Sequence, residues 1–213
     1  KKSRFLIHLA RCNRFNLTYI ETHGRERTIM KQSPIVYWLI SLVAVLILVS
    51  GPAIAHQDFL EKMGVALPKR EKFAPDFSLK NLDGDTVTLK DFKGKTILLN
   101  FWATWCQPCK EELPSMQKLY TELEARGIEV VAVSIDRDNH GKVRKYKDQY
   151  NLTFPILLDP GQEVRKSYFI MGLPTSYLIG ADGHLKGFIS GARKWDSPAS
   201  IQMFSQLLPS GVS

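Results

Sequence analysis

Cysteine is scarce in this chain: three occur in 213 residues, Cys12, Cys106 and Cys109. A small exported scaffold held together by disulfides would carry more, so crosslinks are not what holds this fold. Histidine is nearly as thin. Only His56, His140 and His184 follow residue 55, and none has helical ligand spacing to a cysteine. A closed zinc site wants about four ligands, so none is expected, and no motif calls for an organic cofactor. A basic surface for nucleic acid is also missing. The formal net charge of +8 is concentrated in residues 1–55, with eight Lys/Arg against Glu21 and Glu26, while the rest balances 21 Lys/Arg against 19 Asp/Glu. One basic run, Lys142 to Lys147, reads as the solvated face of a helix, with a docking patch for an acidic partner as the alternative. There is no internal repeat and no low-complexity segment.

Charge is absent altogether from residues 34–49, PIVYWLISLVAVLILV. With Met30 and Lys31 before this run and Ala53-Ile54-Ala55 after it, residues 30–55 have the basic, apolar and small-residue parts of an export signal. Pro34 to Ala55 is also 22 residues, enough to span a bilayer that needs about 20. Cleaved signal peptide and retained membrane anchor both remain open, and either places the rest of the chain outside the cytoplasm. The positive residues ahead of the run favour a cytoplasmic N-terminus. Residues 1–29 have no sustained periodicity and read as a cytoplasmic tail or as sequence upstream of the true start. Cys12 lies there without a partner.

Residues 56–72 are polar and weakly patterned and read as a tether. From Phe73 onward about 140 residues remain, a single-domain length able to bury its own core, and a monomer is expected. Asp83-Gly84 between alternating segments marks a hairpin turn. Apolar runs at Ile97–Trp102 and Ile128–Ile135, then FPILLD, read as strands. They alternate with helical patterns from Gln107 and over about 139–150. A short helix near 162–169, a hairpin of 176–179 with 185–189, and a last helix with Ile201, Phe204, Leu207 and Leu208 on one face complete the pattern. The fold class is α/β, a sheet with a parallel centre and helices on its faces.

Cys106 and Cys109 sit where the Ile97 strand hands over to a helix whose apolar positions are Leu113, Met116, Tyr120 and Leu123. Unpaired N–H groups and the positive end of the dipole at a helix start favour an anion, so Cys106 should ionise more readily than a free thiol. Two intervening residues bring the second sulfur within reach across one turn, which allows a reversible disulfide. An inert staple is the bland reading, but a loop this short restrains little of the unfolded chain.

FWATWCQPCK, followed by Pro114 and about 70 residues later by GLPTSYLI, resembles the thioredoxin superfamily over residues 73 to about 208. APDFSLKNLDGDTVTLKDFKGK, LNFWATWC, the extra strand and helix before FPILLD, and the leader are similar to its TlpA/ResA-like branch of exported thiol:disulfide oxidoreductases, usually reductases. The resemblance implies a central mixed sheet with an N-terminal β-hairpin extension and a central strand–helix insertion.

It also implies roles. Cys106 is the exposed attacking thiolate and Cys109 the buried resolving thiol. Trp105 and Pro108 shape the approach to the sulfur. Pro174 is a cis proline that presents the Leu173 backbone, beside Thr175, to a bound polypeptide. Glu112 influences thiol protonation, its bland alternative being a solvent-facing acid in the first turn. The position of thioredoxin's buried acid is taken by Asn100, which cannot shuttle a proton. Exported protein thiols and disulfides, as in cytochrome c maturation, are the implied clients, with a membrane electron donor.

Two other functions stay open. The hairpin region also resembles peroxiredoxins, whose Pro-x-x-x-Thr-x-x-Cys pocket is not matched: Asn100 replaces the proline and one residue is missing between Thr104 and Cys106. A copper chaperone of related fold would have three residues between its cysteines and a distal histidine, whereas two residues separate Cys106 from Cys109 and no histidine sits near the late Leu173-Pro174-Thr175.

Overall fold

The computed structural model describes residues 59–138 and 140–208, together with Ile35, Trp38, Leu39 and Ser41, which are helical. The readings of residues 1–29 as an upstream or cytoplasmic segment and of 30–55 as signal or anchor lie outside the described residues, as does Asn139. Among the described residues, no helix is long and apolar enough to cross a membrane.

Seven strands form one sheet: β1 (Ser78–Asn81), β2 (Thr86–Thr88), β3 (Thr96–Trp102), β4 (Ile128–Ser134), β5 (Ile156–Leu158), β6 (Thr175–Ile179) and β7 (Leu185–Ser190), in the order β2-β1-β5-β4-β3-β6-β7. β3 runs parallel to β4, and β4 to β5. β1 and β6 join this centre antiparallel, and β2 and β7 close the two edges. Every residue of β3 and β4 is buried, which explains their near-continuous apolar sequence: a strand covered on both faces has no solvent side on which to alternate. The Asp83-Gly84 hairpin is present, with Gly84 at φ 92°, and through Lys80 and Asn81 it extends the sheet beyond β5.

Among the described residues, four α-helices follow or interrupt the strands: α1 (Gln107–Leu123), α2 (His140–Gln149), α3 (Glu163–Ser167) and α4 (Pro198–Leu207). The buried stripe of α1 is Cys109, Glu112, Leu113, Met116, Leu119 and Leu123, a 3.6-residue periodicity in which Glu112 is the one charged member. Leu119 takes the interior place expected of Tyr120, which is half-buried. In α4, Met203 and Phe204 go deepest, while Ile201, Leu207 and Leu208 pack at the margin of the core.

Within the stretch read as a tether, residues 59–66 pack against the domain. Residues 59–62 form a helical turn, Leu60 and Val65 are buried, and Ala66 exchanges backbone hydrogen bonds of 2.9 and 3.0 Å with Phe188 on β7. Gly187 makes this contact sterically feasible, since a Cβ there would come within 2.3 Å of Val65 Cγ1. The packed structure therefore begins ahead of Phe73.

Candidate active site

β3 ends at Trp102 and the chain turns through Ala103, Thr104 and Trp105 into α1. Cys106 is the N-cap, with extended backbone (φ −89°, ψ 103°), and its Sγ accepts the Cys109 N–H at 3.3 Å. This is the position where an anionic side chain meets unpaired N–H groups. Pro108 lies in the first turn, where its missing N–H costs no helical bond. Cys106 and Cys109 are joined in a disulfide with their Cα atoms 5.3 Å apart. Cys109 has no solvent exposure and Cys106 retains 6%. The attacking sulfur is thus more covered in this oxidised state than the sequence reading expected, although it alone of the pair reaches the surface. Trp105 beside it is 66% exposed.

The turn leading to Cys106 is latched from behind. Asp136, buried just past β4, accepts the Thr104 N–H at 2.9 Å, the Thr104 hydroxyl at 2.7 Å and the Ser134 hydroxyl at 2.8 Å. No motif marks Asp136, and its pairing with Thr104 depends on the β3/β4 register.

Glu112 is 3% exposed, one turn beyond Cys109. Its Oε1 accepts Asn100 Nδ2–H at 2.8 Å, while Oε2 accepts the Arg193 backbone N–H at 3.0 Å and the Trp195 indole N–H at 3.1 Å. Burial pushes its pKa up to about 7, against the pull of these donors and of the Arg193 charge. Asn100 also donates to Ser176 Oγ at 2.9 Å. Ser115 fastens the same loop, donating to the Glu112 carbonyl at 2.8 Å and accepting the Trp195 N–H at 3.0 Å. The solvent-facing alternative for Glu112 is excluded by this burial. Arg193, Trp195 and Ser115 escaped the sequence reading, and the one signal for them was a lone tryptophan in the polar stretch Gly191–Asp196.

The third wall comes from the loop before β6. Leu173–Pro174 is a cis peptide bond, and Pro174 and Thr175 are buried while Leu173 is half-buried. Thr175 Oγ1 donates to the Gly172 carbonyl at 2.8 Å. Pairing of Thr175 with Phe101 brings this loop to the end of β3 from which the cysteine turn departs. Trp105, Cys106, Pro108, Cys109, Leu173, Pro174 and Thr175 therefore belong to one end of the sheet, with Glu112 below.

A family model described as the AhpC/TSA family matches residues 71–188. The chain is also 39% identical over 158 residues to the thiol-disulfide oxidoreductase ResA of Bacillus cereus, a match covering 72% of this chain and 88% of that one. The chain belongs to the AhpC/TSA family, among its ResA-like thiol-disulfide oxidoreductases.

Solved structures agree with the ResA-like placement. A crystal structure from Chlorobium tepidum assigned as thiol:disulfide interchange protein DsbE superposes with a TM-score of 0.61 at 33% identity, covering 66% of this chain and 99% of that one. StoA from Bacillus subtilis gives 0.52 at 30% identity, covering 61% and 97%. This ResA-like chain is an oxidoreductase whose redox pair is Cys106–Cys109 at the head of α1. Thiol–disulfide exchange follows from the geometry: one sulfur at the surface on a helix N-terminus, and a second beneath it within bonding distance.

Proposed function

We propose that the protein reduces disulfides of exported proteins. The Cys106 thiolate attacks one sulfur of a client disulfide, forming a mixed disulfide and releasing one client thiolate. Cys109 then gives its proton to the Glu112 carboxylate and attacks the Cys106 sulfur. The Cys106–Cys109 disulfide forms, the second client thiolate leaves, and two electrons have passed to the client. A dithiol donor at the membrane restores the reduced pair. Residues 34–55, as signal or anchor, deliver the domain to the periplasm or to the periplasmic face of the inner membrane, where cytochrome c maturation is one setting for such clients. Trp105, Pro108, Leu173, Pro174 and Thr175 form the surface that receives the client backbone.

One observation carries this reading: a buried carboxyl, held by three donors and poised near neutrality, one turn from the resolving thiol. A group titrating close to the working pH can both accept and return a proton. The Gln-Pro pair between the cysteines supports the reducing direction, being closer to the Gly-Pro of reductants than to the Pro-His of strong oxidants. Trapping with Cys109→Ser in intact cells, followed by identification of the mixed disulfides, tests it: cysteine-bearing exported proteins are the expected catch. Failure to trap any exported protein, or turnover driven faster by peroxide than by protein disulfides, overturns it.

A further inference from the structure

We propose that Arg193 is a positioning residue for the active-site carboxyl, through which residues 59–66 control the setting of Glu112. The inference rests on the reading above that Glu112 handles the proton of Cys109. Arg193 is the meeting point of two otherwise separate features. Its backbone N–H holds Glu112 Oε2 at 3.0 Å. Its side chain turns the other way, where Nη2 donates to the Met63 carbonyl at 2.6 Å and the guanidinium lies 5.9 Å from the centre of the Trp195 ring. That ring's N–H is itself a donor to Glu112.

The Met63 carbonyl is available because the helical turn ends there. The Gly64 N–H turns back to Glu61 and the Val65 N–H to Leu60, at 2.8 and 3.0 Å, with Gly64 at φ +72°. A Cβ on Gly64 would come within 3.2 Å of Arg193 Nη2, so the guanidinium fits closely over the turn. Leu60 and Val65 in the core, and Ala66 on β7, fix the turn in place. The segment that leads into the domain thus clamps the loop supplying two of the three donors to Glu112. The hydrogen bonds of this arrangement end on Glu112 and not on a cysteine, so the effect on chemistry passes through the carboxyl.

The charges facing Glu112 are few. Arg193 is the charged group that lowers its pKa, Cys109 shares its helix, and β3 and β6 contribute only the neutral Asn100 and Ser176. Glu111, Lys118, Lys194 and Asp196 line the open cleft beside it, where water screens them.

The test uses the full chain with Arg193→Met, Arg193→Lys and Gly64→Ala beside Glu112→Gln, reading the pH profile of iodoacetamide alkylation at both cysteines and the rate of mixed-disulfide resolution. Arg193→Met keeps the backbone donor and removes the charge and the clamp. It should move the Glu112-dependent midpoint upward by about 0.5–1 pH unit, in the sense expected when a nearby opposite charge is lost. Gly64→Ala, which keeps the arginine but presses a Cβ to within 3.2 Å of its Nη2, should move it in the same direction, and Arg193→Lys should restore much of the wild-type profile. If Glu112→Gln alters the profile while Arg193→Met and Gly64→Ala leave its midpoint in place, the inference is overturned and the function proposed above stands. A profile unchanged by Glu112→Gln overturns this inference together with the proton-handling role of Glu112 on which it rests.

Discussion

Asn100 and Glu112 are joined where the sheet meets α1: Nδ2 of Asn100 donates to Oε1 of Glu112 at 2.8 Å, with both side chains buried. In thioredoxin the buried acid stands on the strand, and here the strand supplies an amide while the helix supplies the acid. An amide donor favours the ionised carboxylate whereas burial favours the neutral acid, and their opposition leaves Glu112 near neutrality. The buried acid here belongs to the helix that carries the cysteines.

The two cysteines should fail differently. Cys106→Ser should abolish reduction of insulin disulfides in the presence of dithiothreitol. Cys109→Ser should make one attack and then stall as a mixed disulfide visible on a non-reducing gel. Sustained turnover by Cys109→Ser would contradict resolution by the second thiol.

Glu112 should make the oxidised protein less stable as pH rises. Its carboxyl is raised from 4.5 to about 7 in the folded state. Between those values the folded protein keeps a proton that the unfolded chain has released, so its contribution is full below 4.5 and is lost as pH climbs through about 7. At about 1.4 kcal/mol per unit the loss approaches about 3 kcal/mol. Urea midpoints at about pH 5 and about pH 8 measure it, and Glu112→Gln should flatten the difference. Parallel behaviour of variant and wild type would show that Glu112 does not titrate in this window.

Asp136→Ala should destabilise the oxidised protein by about 2–4 kcal/mol, since it leaves two Thr104 donors and the Ser134 hydroxyl buried without their acceptor. The loss should be accompanied by faster hydrogen exchange at the Thr104 amide. A change below about 0.5 kcal/mol would show that the latch is dispensable.

Gly187→Ala tests the packing of the entry segment. Its Cβ would meet Val65 Cγ1 at 2.3 Å and the Ala66 carbonyl at 3.1 Å, an overpacking that should cost about 1–3 kcal/mol. The Ala66 amide, bonded to Phe188, should lose protection from exchange. Retained protection and unchanged stability would mean that the segment yields without cost.

Local pattern determined a great deal here. The apolar runs Ile97–Trp102 and Ile128–Ile135, the Asp83-Gly84 turn and the cysteine spacing each express a short-range rule: burial on both faces, a positive φ, or one helical turn. The strands, the hairpin, the start of α1 and the redox pair were therefore legible residue by residue. The setting of Glu112 was not. Sequence placed it one turn from Cys109 but left it between core and solvent, because a single acid on a helix carries no mark of what packs over it. Only tertiary structure brings Asn100, Arg193 and Trp195 onto its two oxygens, from 12, 81 and 83 residues away. The Thr104–Asp136 latch, 32 residues apart, and the clamp of Met63 on Arg193, 130 apart, likewise depend on strand register and loop closure. Polar contacts over such separations leave no periodicity in the chain, so folding alone decides which groups share a proton.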